Sequence, residues 1–229
     1  MANNKKNSAE TQSAIEEIND TLTGLGAKVQ NNQKIIYIAT GVVAIIALCI
    51  LVYIYLFRQP GIQKANDAIG RADIQLALGN DSVALAQYID VADNRSYDAA
   101  NRAALQSAIL LYEKGDYEQA LKYIDKFSAK EAFIGAAAYS LKGDCYVNLD
   151  QLDNAIGAFK KAISQSDDNA AYTPFFMQKL ARVYNAQGKY ADEEKIYEAI
   201  MKDYPTYGPT YNIDIEKYLE RAKANAAKK

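Results

Sequence analysis

An uncharged run of apolar residues near the N-terminus constrains the fold of this chain more than any other feature. It extends from Ile35 to Phe57, and Lys34 and Arg58 stand at its two ends. A helix rises 1.5 Å per residue, so about 20 residues are enough to cross a bilayer. No amphipathic face can be drawn on the run, which disfavours a buried core helix. The sequence therefore predicts a transmembrane helix over residues 35–57.

The residues around this run favour a retained anchor over a cleaved signal peptide. The run is longer than a signal-peptide core, and Arg-Gln-Pro at residues 58–60 replaces a small-residue cleavage site. Tyr37, Tyr53 and Tyr55 lie towards its ends, where amphipathic rings prefer the headgroup region. Basic residues lie on both sides, and the whole tail only slightly favours a cytoplasmic N-terminus. Cytoplasmic placement of the following domain stays open on charge alone.

The N-terminal tail, residues 1–34, contains a short heptad pattern. Apolar residues alternate at spacings of three and four: Ile15, Ile18, Leu22, Leu25 and Val29. The pattern covers two heptads, fewer than a coiled coil needs, and Gly24 and Gly26 weaken it. The tail is predicted to form a short amphipathic helix that rests on the lipid surface or is half folded. The alternative is a short helix that self-associates or docks on a partner at the membrane.

Several absences exclude classes of function. The chain has no histidine, which removes a histidine base, a histidine triad and any histidine metal ligand. Cys49 lies inside the apolar run and Cys145 beyond it, so no internal disulfide is expected. The net charge of −2 provides no positive electrostatic potential that would attract nucleic acid. There is no phosphate loop, Cys-x-x-Cys or calcium-loop spacing. We expect no catalytic residue, cofactor, metal or small-molecule substrate.

The remainder of the chain, residues 58–229, carries an internal repeat. A turn signal begins at Gly115, Asp150 and Gly188, at intervals of 35 and 38 residues. Residues at fixed offsets from each turn have matching character. Small residues precede the turn at Ala108, Gly143 and Ala181; small residues follow it at Ala120 and Ala155; large residues come next at Ile124, Phe159 and Tyr197. The pattern predicts stacked helix hairpins.

Each repeated position has a physical purpose. Small residues let the two helices of a hairpin approach closely, and the large residues fill the space between helices. Gly115 and Gly188 suit a turn with positive φ, and Asp150 can replace glycine there. Glu193 stands where the other repeats have alanine. We expect the third repeat to pack less tightly, with its second helix shifted or the carboxylate directed to solvent.

Weaker patterns complete the predicted domain. A hairpin broken at Gly79-Asn80 precedes the repeats, and an amphipathic helix that follows them covers the last apolar face. The predicted layout is a divergent hairpin over residues 62–93, repeats over about 101–134, 136–169 and 174–207, and a capping helix over 213–226. The predicted fold class is all-α, a single transmembrane helix followed by a helix-hairpin solenoid.

The repeat resembles the tetratricopeptide repeat, a helix-turn-helix unit of about 34 residues. The whole arrangement looks like the bacterial family of membrane-anchored tetratricopeptide proteins that are ancillary subunits of the SecYEG translocon. The matching segments are Tyr112–Leu121, Tyr123–Phe127, Gly143–Tyr146, Thr173-Pro174 and Lys202–Pro205. The resemblance implies an inner-membrane anchor, a cytoplasmic N-terminus and a periplasmic repeat domain without catalytic residues. It also implies partners among translocon subunits, periplasmic chaperones and emerging secreted chains. A scaffold for another cell-envelope assembly is the alternative.

A binding groove is expected along the first helices of the repeats. Nine residues face it in the repeat register: Arg102, Ile109, Tyr112, Asp144, Val147, Asn148, Gln178, Arg182 and Asn185. Their polar character with some aromatic content suits an extended peptide. The alternative for each single residue is a solvated helix face.

Overall fold

The computed structural model describes residues 33–129 and 131–228, together with Thr23. Every regular element in these ranges is helical, which confirms the all-α prediction. The predicted heptad helix, with Ile15, Ile18, Leu22, Leu25 and Val29, lies outside the described residues. The elements are α1 (Gln33–Tyr53), a π-helix (Ile54–Arg58), α2 (Gln59–Ala77), α3 (Asp81–Asn94), α4 (Tyr97–Glu113), α5 (Tyr117–Lys126), α6 (Ala132–Asn148), α7 (Leu152–Gln165), α8 (Tyr172–Ala186), α9 (Tyr190–Asp203), α10 (Tyr207–Tyr211) and α11 (Ile215–Ala226).

The chain divides after Pro60 into two compact units. In the first unit, α1 is long and apolar enough to cross a membrane by length and composition. None of its residues whose burial is described is buried, unlike the core helix of a soluble domain. The π-helix follows directly. It widens the turn before Pro60, whose ring would otherwise crowd the carbonyl of Leu56.

In the second unit, four helix hairpins close with the same backbone turn. Gly79, Gly115, Asp150 and Gly188 all have positive φ, between 56° and 81°. In each turn the next residue donates its N–H to the carbonyl five residues earlier, as Asp116 does to Leu111 at 2.9 Å. This is the Schellman pattern that satisfies the last carbonyls of a helix. The divergent first hairpin uses the same turn, with Asn80 bonded to Gln75.

Small residues bring the helices of each hairpin into contact. Ala108, Ala120, Ala155 and Ala181 are fully buried. An added Cβ on Gly143 would lie 2.6 Å from the ring of Phe159, so only glycine fits between α6 and α7. The close approach places large side chains such as Phe159 in the core, where dense packing stabilises the array.

Glu193 corrects one alternative of our expectation for the third repeat. Its side chain is 0% exposed, so the carboxylate is not directed to solvent. Its two carboxylate oxygens accept hydrogen bonds from Asn185 Nδ2 at 2.7 Å and Arg221 Nη2 at 2.6 Å. The Arg221 guanidinium also lies over the ring of Tyr218, 5.2 Å from its centroid. The extra charge is thus neutralised by α11 rather than exposed.

α11 covers the last apolar face of the array. Ile215, Leu219 and Ala222 are buried on it, and the Tyr218 ring stacks on Tyr197 of α9 at 5.6 Å. The short helix α10, which the sequence analysis did not predict, connects α9 to α11. Asn212, the residue after α10, adopts the left-handed conformation that caps it.

Replacing Arg221 by methionine should destabilise the protein by about 2–3 kcal/mol, because a fully buried carboxylate would keep only Asn185 as its partner. The matched control is Lys223→Met on the same helix. Lys223 pairs with Glu220 in an exposed i,i+3 contact, and its loss should cost less than about 1 kcal/mol. Urea unfolding followed by circular dichroism measures both. Equal losses for the two variants would contradict the assigned role of Arg221.

Candidate binding face

The first helices of the three repeats, α4, α6 and α8, present matching positions side by side. We call this surface the first-helix face. Of the nine predicted residues, Arg102, Val147, Asn148 and Arg182 are exposed, and Ile109, Tyr112, Asp144 and Asn185 are half-buried. Gln178 is buried, at 5% exposure. The structure therefore brings most of the set to one surface. The hydrogen bonds and ion pairs of each side chain determine whether it can also bind a ligand.

Two of the predicted residues turn inwards. The amide oxygen of Gln178 accepts a hydrogen bond from the hydroxyl of Tyr207 at 3.3 Å, inside the array. Asn185 donates to the buried Glu193. The repeat register places both residues towards the groove, but their side chains form hydrogen bonds with Tyr207 and Glu193 instead. Neither side chain is therefore available to a ligand on the first-helix face.

α4 and α6 meet at a polar contact between predicted residues. Asn148 lies beside the Tyr112 hydroxyl, and burial followed by the charge of Asp144 raises the pKa of Tyr112. The Tyr112 ring also tilts against Tyr117, with centroids 5.5 Å apart. Three of the nine predicted residues, Tyr112, Asp144 and Asn148, are therefore neighbours.

α6 and α8 are joined by an ion pair at the centre of the first-helix face. Lys179 Nζ lies 2.5 Å from Asp144 and 3.1 Å from the hydroxyl of Ser140. Burial raises the pKa of Asp144, while Lys179 acts in the opposite direction. The pair has only a fifth to a quarter of each side chain exposed. It holds the two helices in register and leaves little free charge for a ligand.

Three exposed aromatic rings on α6 and α8 were not predicted from the sequence. Phe133, Tyr172 and Phe175 are 48%, 42% and 43% exposed. The rings of Phe133 and Tyr172 are 4.3 Å apart, and Lys179 Nζ lies 4.9 Å from the ring centroid of Phe175. Phe175 precedes Ala181 by the same offset that separates Arg102 from Ala108, which is a signal that could have identified it.

An apolar pocket of about 300 Å³ lies beside Arg102 on the same face. Leu105, Phe127 and Ile134 form its apolar part, and Arg102 and Glu131 lie at its rim. Arg102 forms an ion pair with Asp73 of α2, and Asp73 also accepts from the Tyr88 hydroxyl at 2.6 Å. The pocket can hold one medium-sized apolar side chain of a ligand.

Comparison with known proteins identifies the fold. Residues 61–185 match a family model described as a tetratricopeptide repeat-like domain, and residues 177–207 match a tetratricopeptide repeat model. The chain belongs to the tetratricopeptide-repeat family. Its repeats are the α4–α5, α6–α7 and α8–α9 hairpins, and the predicted repeat type is confirmed. Proteins of this type are interaction scaffolds, and no feature of the described residues indicates catalysis.

Solved structures share the fold of this tetratricopeptide-repeat protein at low sequence identity. YrrB, described as a tetratricopeptide-repeat protein with an unusual peptide-binding site, superposes with a TM-score of 0.54 at 15% identity, over 70% of this chain and 76% of its own. MamA superposes with a TM-score of 0.52 at 19% identity, over 72% and 88%. A search of curated proteins finds no match to the sequence. These similarities show the fold and no more.

Carboxylates elsewhere in this tetratricopeptide-repeat protein have structural partners. Residues 33–129 and 131–228 contain no cluster of three or more side chains that could hold a metal ion. A cavity of about 500 Å³ is formed by the α9–α11 segment and is lined by Asp214 and Glu216 among others. Asp214 caps α11 by accepting from Lys217 N at 2.9 Å. Its carboxylate is therefore assigned a capping role.

Cys145 should be unreactive towards maleimide in the folded protein. It is 0% exposed, and burial raises the pKa of its thiol to about 12. The thiolate is then scarce at pH 7 and stays scarce to pH 9, so labelling should not increase over that interval. A Ser164→Cys variant, exposed on α7, is the matched control and should label quickly, with a rate that rises with pH. Rapid labelling of native Cys145 would contradict this assignment.

Proposed function

We propose that this protein is a membrane-tethered scaffold that binds extended segments of other proteins on its first-helix face. The observation that carries the proposal is the exposure of three aromatic rings on α6 and α8, those of Phe133, Tyr172 and Phe175. The Phe175 ring lies next to Lys179 of the Asp144–Lys179 ion pair. Large exposed rings on a soluble repeat domain are typical of contact surfaces. The pocket near Arg102 extends the same surface towards α4.

The first-helix face suits an unfolded or extended polypeptide better than a small molecule. Its apolar elements, the aromatic group and the Leu105 pocket, lie on different helices and are separated by polar contacts. An extended chain can place successive apolar side chains on such sites while its backbone bonds to the polar groups between them. A compact ligand would contact only one site.

The apolar segment at residues 35–57 would hold this domain at a lipid bilayer. α1 has the length and composition of a membrane span, and no described α1 residue is packed in a core. We place the anchor in a bacterial inner membrane as a single pass, with a cytoplasmic N-terminus and a periplasmic repeat domain. The resemblance to the membrane-anchored translocon subunits supports this orientation.

The same resemblance supports a position beside the Sec translocon. There the repeat domain would act as an adaptor that contacts translocon subunits, secreted chains or periplasmic chaperones. The alternative is a structural scaffold for another cell-envelope assembly complex. Both place a protein-binding repeat domain at the membrane, and they differ in the partners that remain bound after mild solubilisation.

The proposed topology is tested by thiol labelling in a Cys49→Ala background. A Ser164→Cys variant should react with a membrane-impermeant maleimide when only the outer membrane is permeabilised, because its side chain is exposed on the repeat domain. A Ser8→Cys variant in the tail should react only after the inner membrane is broken. The reverse pattern would place the repeats in the cytoplasm and contradict the adaptor proposal.

The proposed binding face is tested by co-purification from membranes in mild detergent. The full chain should retain translocon subunits, and the double variant Phe133→Ala, Phe175→Ala should lose them at least fivefold, since aromatic contact residues commonly carry more than about 1 kcal/mol each. Tyr211→Ala is the control, because Tyr211 is equally exposed but lies on α10. Retention of other envelope proteins alone would favour the alternative. An equal loss with Tyr211→Ala would contradict the assigned face.

A further inference from the structure

A second cleft lies on the other side of α6. Two adjoining cavities, of about 340 and 250 Å³, share Tyr139, Lys142 and Lys161 as lining residues. Tyr146 extends the lining of the smaller cavity. We call the continuous depression lined by Tyr139, Lys142, Tyr146 and Lys161 the back cleft. It is a surface feature of α6 and α7 and none of its four residues was predicted to bind a ligand.

Helical geometry separates the back cleft from the first-helix face. Successive residues of an α-helix are rotated by about 100° around its axis. Tyr139, Lys142 and Tyr146 therefore lie along one side of α6, and Asp144 and Asn148 lie along the opposite side. A ligand in the back cleft and a ligand on the first-helix face would not compete for the same side chains.

Two residues of the back cleft are smaller or more polar than their counterpart in one other repeat. Lys142 occupies the repeat position at which the third repeat has Leu180, which is 2% exposed in the core. Ala158 occupies the position at which the first repeat buries Tyr123. A Cβ added to the neighbouring Gly157 would meet nothing within 4 Å, so the surface above Gly157 is open.

One positive charge in the back cleft is not neutralised by a neighbour. Lys142 forms an ion pair with Asp125, and Asp153, which also lines the cleft, accepts from Gln187 Nε2 at 2.9 Å and lies 3.7 Å from Lys189. Lys161 Nζ lies 5.5 Å from the Tyr139 ring centroid, and no carboxylate of the described residues lies within 4 Å of it.

We propose that the back cleft is a second docking site, which takes an extended peptide segment of a partner protein with one acidic side chain next to an apolar one. The carboxylate binds Lys161, and the apolar side chain rests on Gly157 and Ala158 between the rings of Tyr139 and Tyr146. The single negative charge of the peptide carboxylate matches the single unpaired positive charge of Lys161. Asp125 and Asp153 line the same cavities, but they pair with Lys142 and Lys189 and leave Lys161 as the unpaired charge.

This site goes beyond the proposed function of the first-helix face. Two segments, from one partner or from two, can occupy opposite sides of α6 together. The repeat domain would then connect its ligands rather than hold a single one.

The test uses the full chain in detergent and two sets of nonapeptides. Each acidic peptide has one Asp or Glu flanked by Leu, Val or Phe. Its amide counterpart has the same sequence with Asn or Gln in place of the acidic residue. Acidic peptides should bind at least tenfold more tightly than their amide counterparts in fluorescence anisotropy. Lys161→Gln and Gly157→Leu should abolish this preference, the first by removing the charge and the second by filling the floor. Both positions are exposed, so the fold should be retained.

Lys160→Gln is the matched control. Lys160 precedes Lys161 on α7 but lies near the Tyr184 ring, at 5.9 Å, and does not line the cleft. It should keep the preference, and so should the Phe133→Ala, Phe175→Ala variant. Equal binding of acidic and amide peptides, equal effects of the two lysine variants, or loss of binding in the aromatic variant would each overturn the proposal. Displacement of the peptides by phosphatidylglycerol vesicles would assign the cleft to lipid headgroups and would also overturn it.

Discussion

The close contact of two antiparallel helices at small residues is the constraint on which the repeat domain depends. The contact requires a tight turn, and Gly79, Gly115, Asp150 and Gly188 provide it with the same pair of backbone hydrogen bonds. Once the two helices are in contact, the large side chains that follow the turn pack between them. The spacing of first helices follows from this packing, and with it the surface that α4, α6 and α8 present to a ligand.

Interactions between residues close in sequence could be predicted, and interactions between distant residues could not. The turn at Asp150 and the buried Ala108 and Ala155 follow from local conformational preference and from the repeat period. The expected exposure of Glu193 was wrong because its partner, Arg221, lies 28 residues away. The aromatic contact between Phe133 and Tyr172 likewise joins two repeats, and no single repeat contains it.

The departures from the repeat pattern coincide with the surfaces proposed for binding. Phe175 is an exposed aromatic residue where the first repeat has Arg102, and Lys142 stands where the third repeat buries Leu180. The first difference lowers the solubility of the surface, and the second removes apolar packing that the third repeat has. The first repeat has Ser107 at the Lys142 position, so the repeat pattern does not require an apolar residue there.

The buried carboxylate of Glu193 has a consequence for which helix can close the array. The apolar end of a helical solenoid needs an amphipathic helix to cover it. A helix without a guanidinium at the right position would leave the Glu193 carboxylate in an apolar contact without its counter-ion. α11 supplies that guanidinium in Arg221. The closing helix is therefore selected by charge as well as by shape.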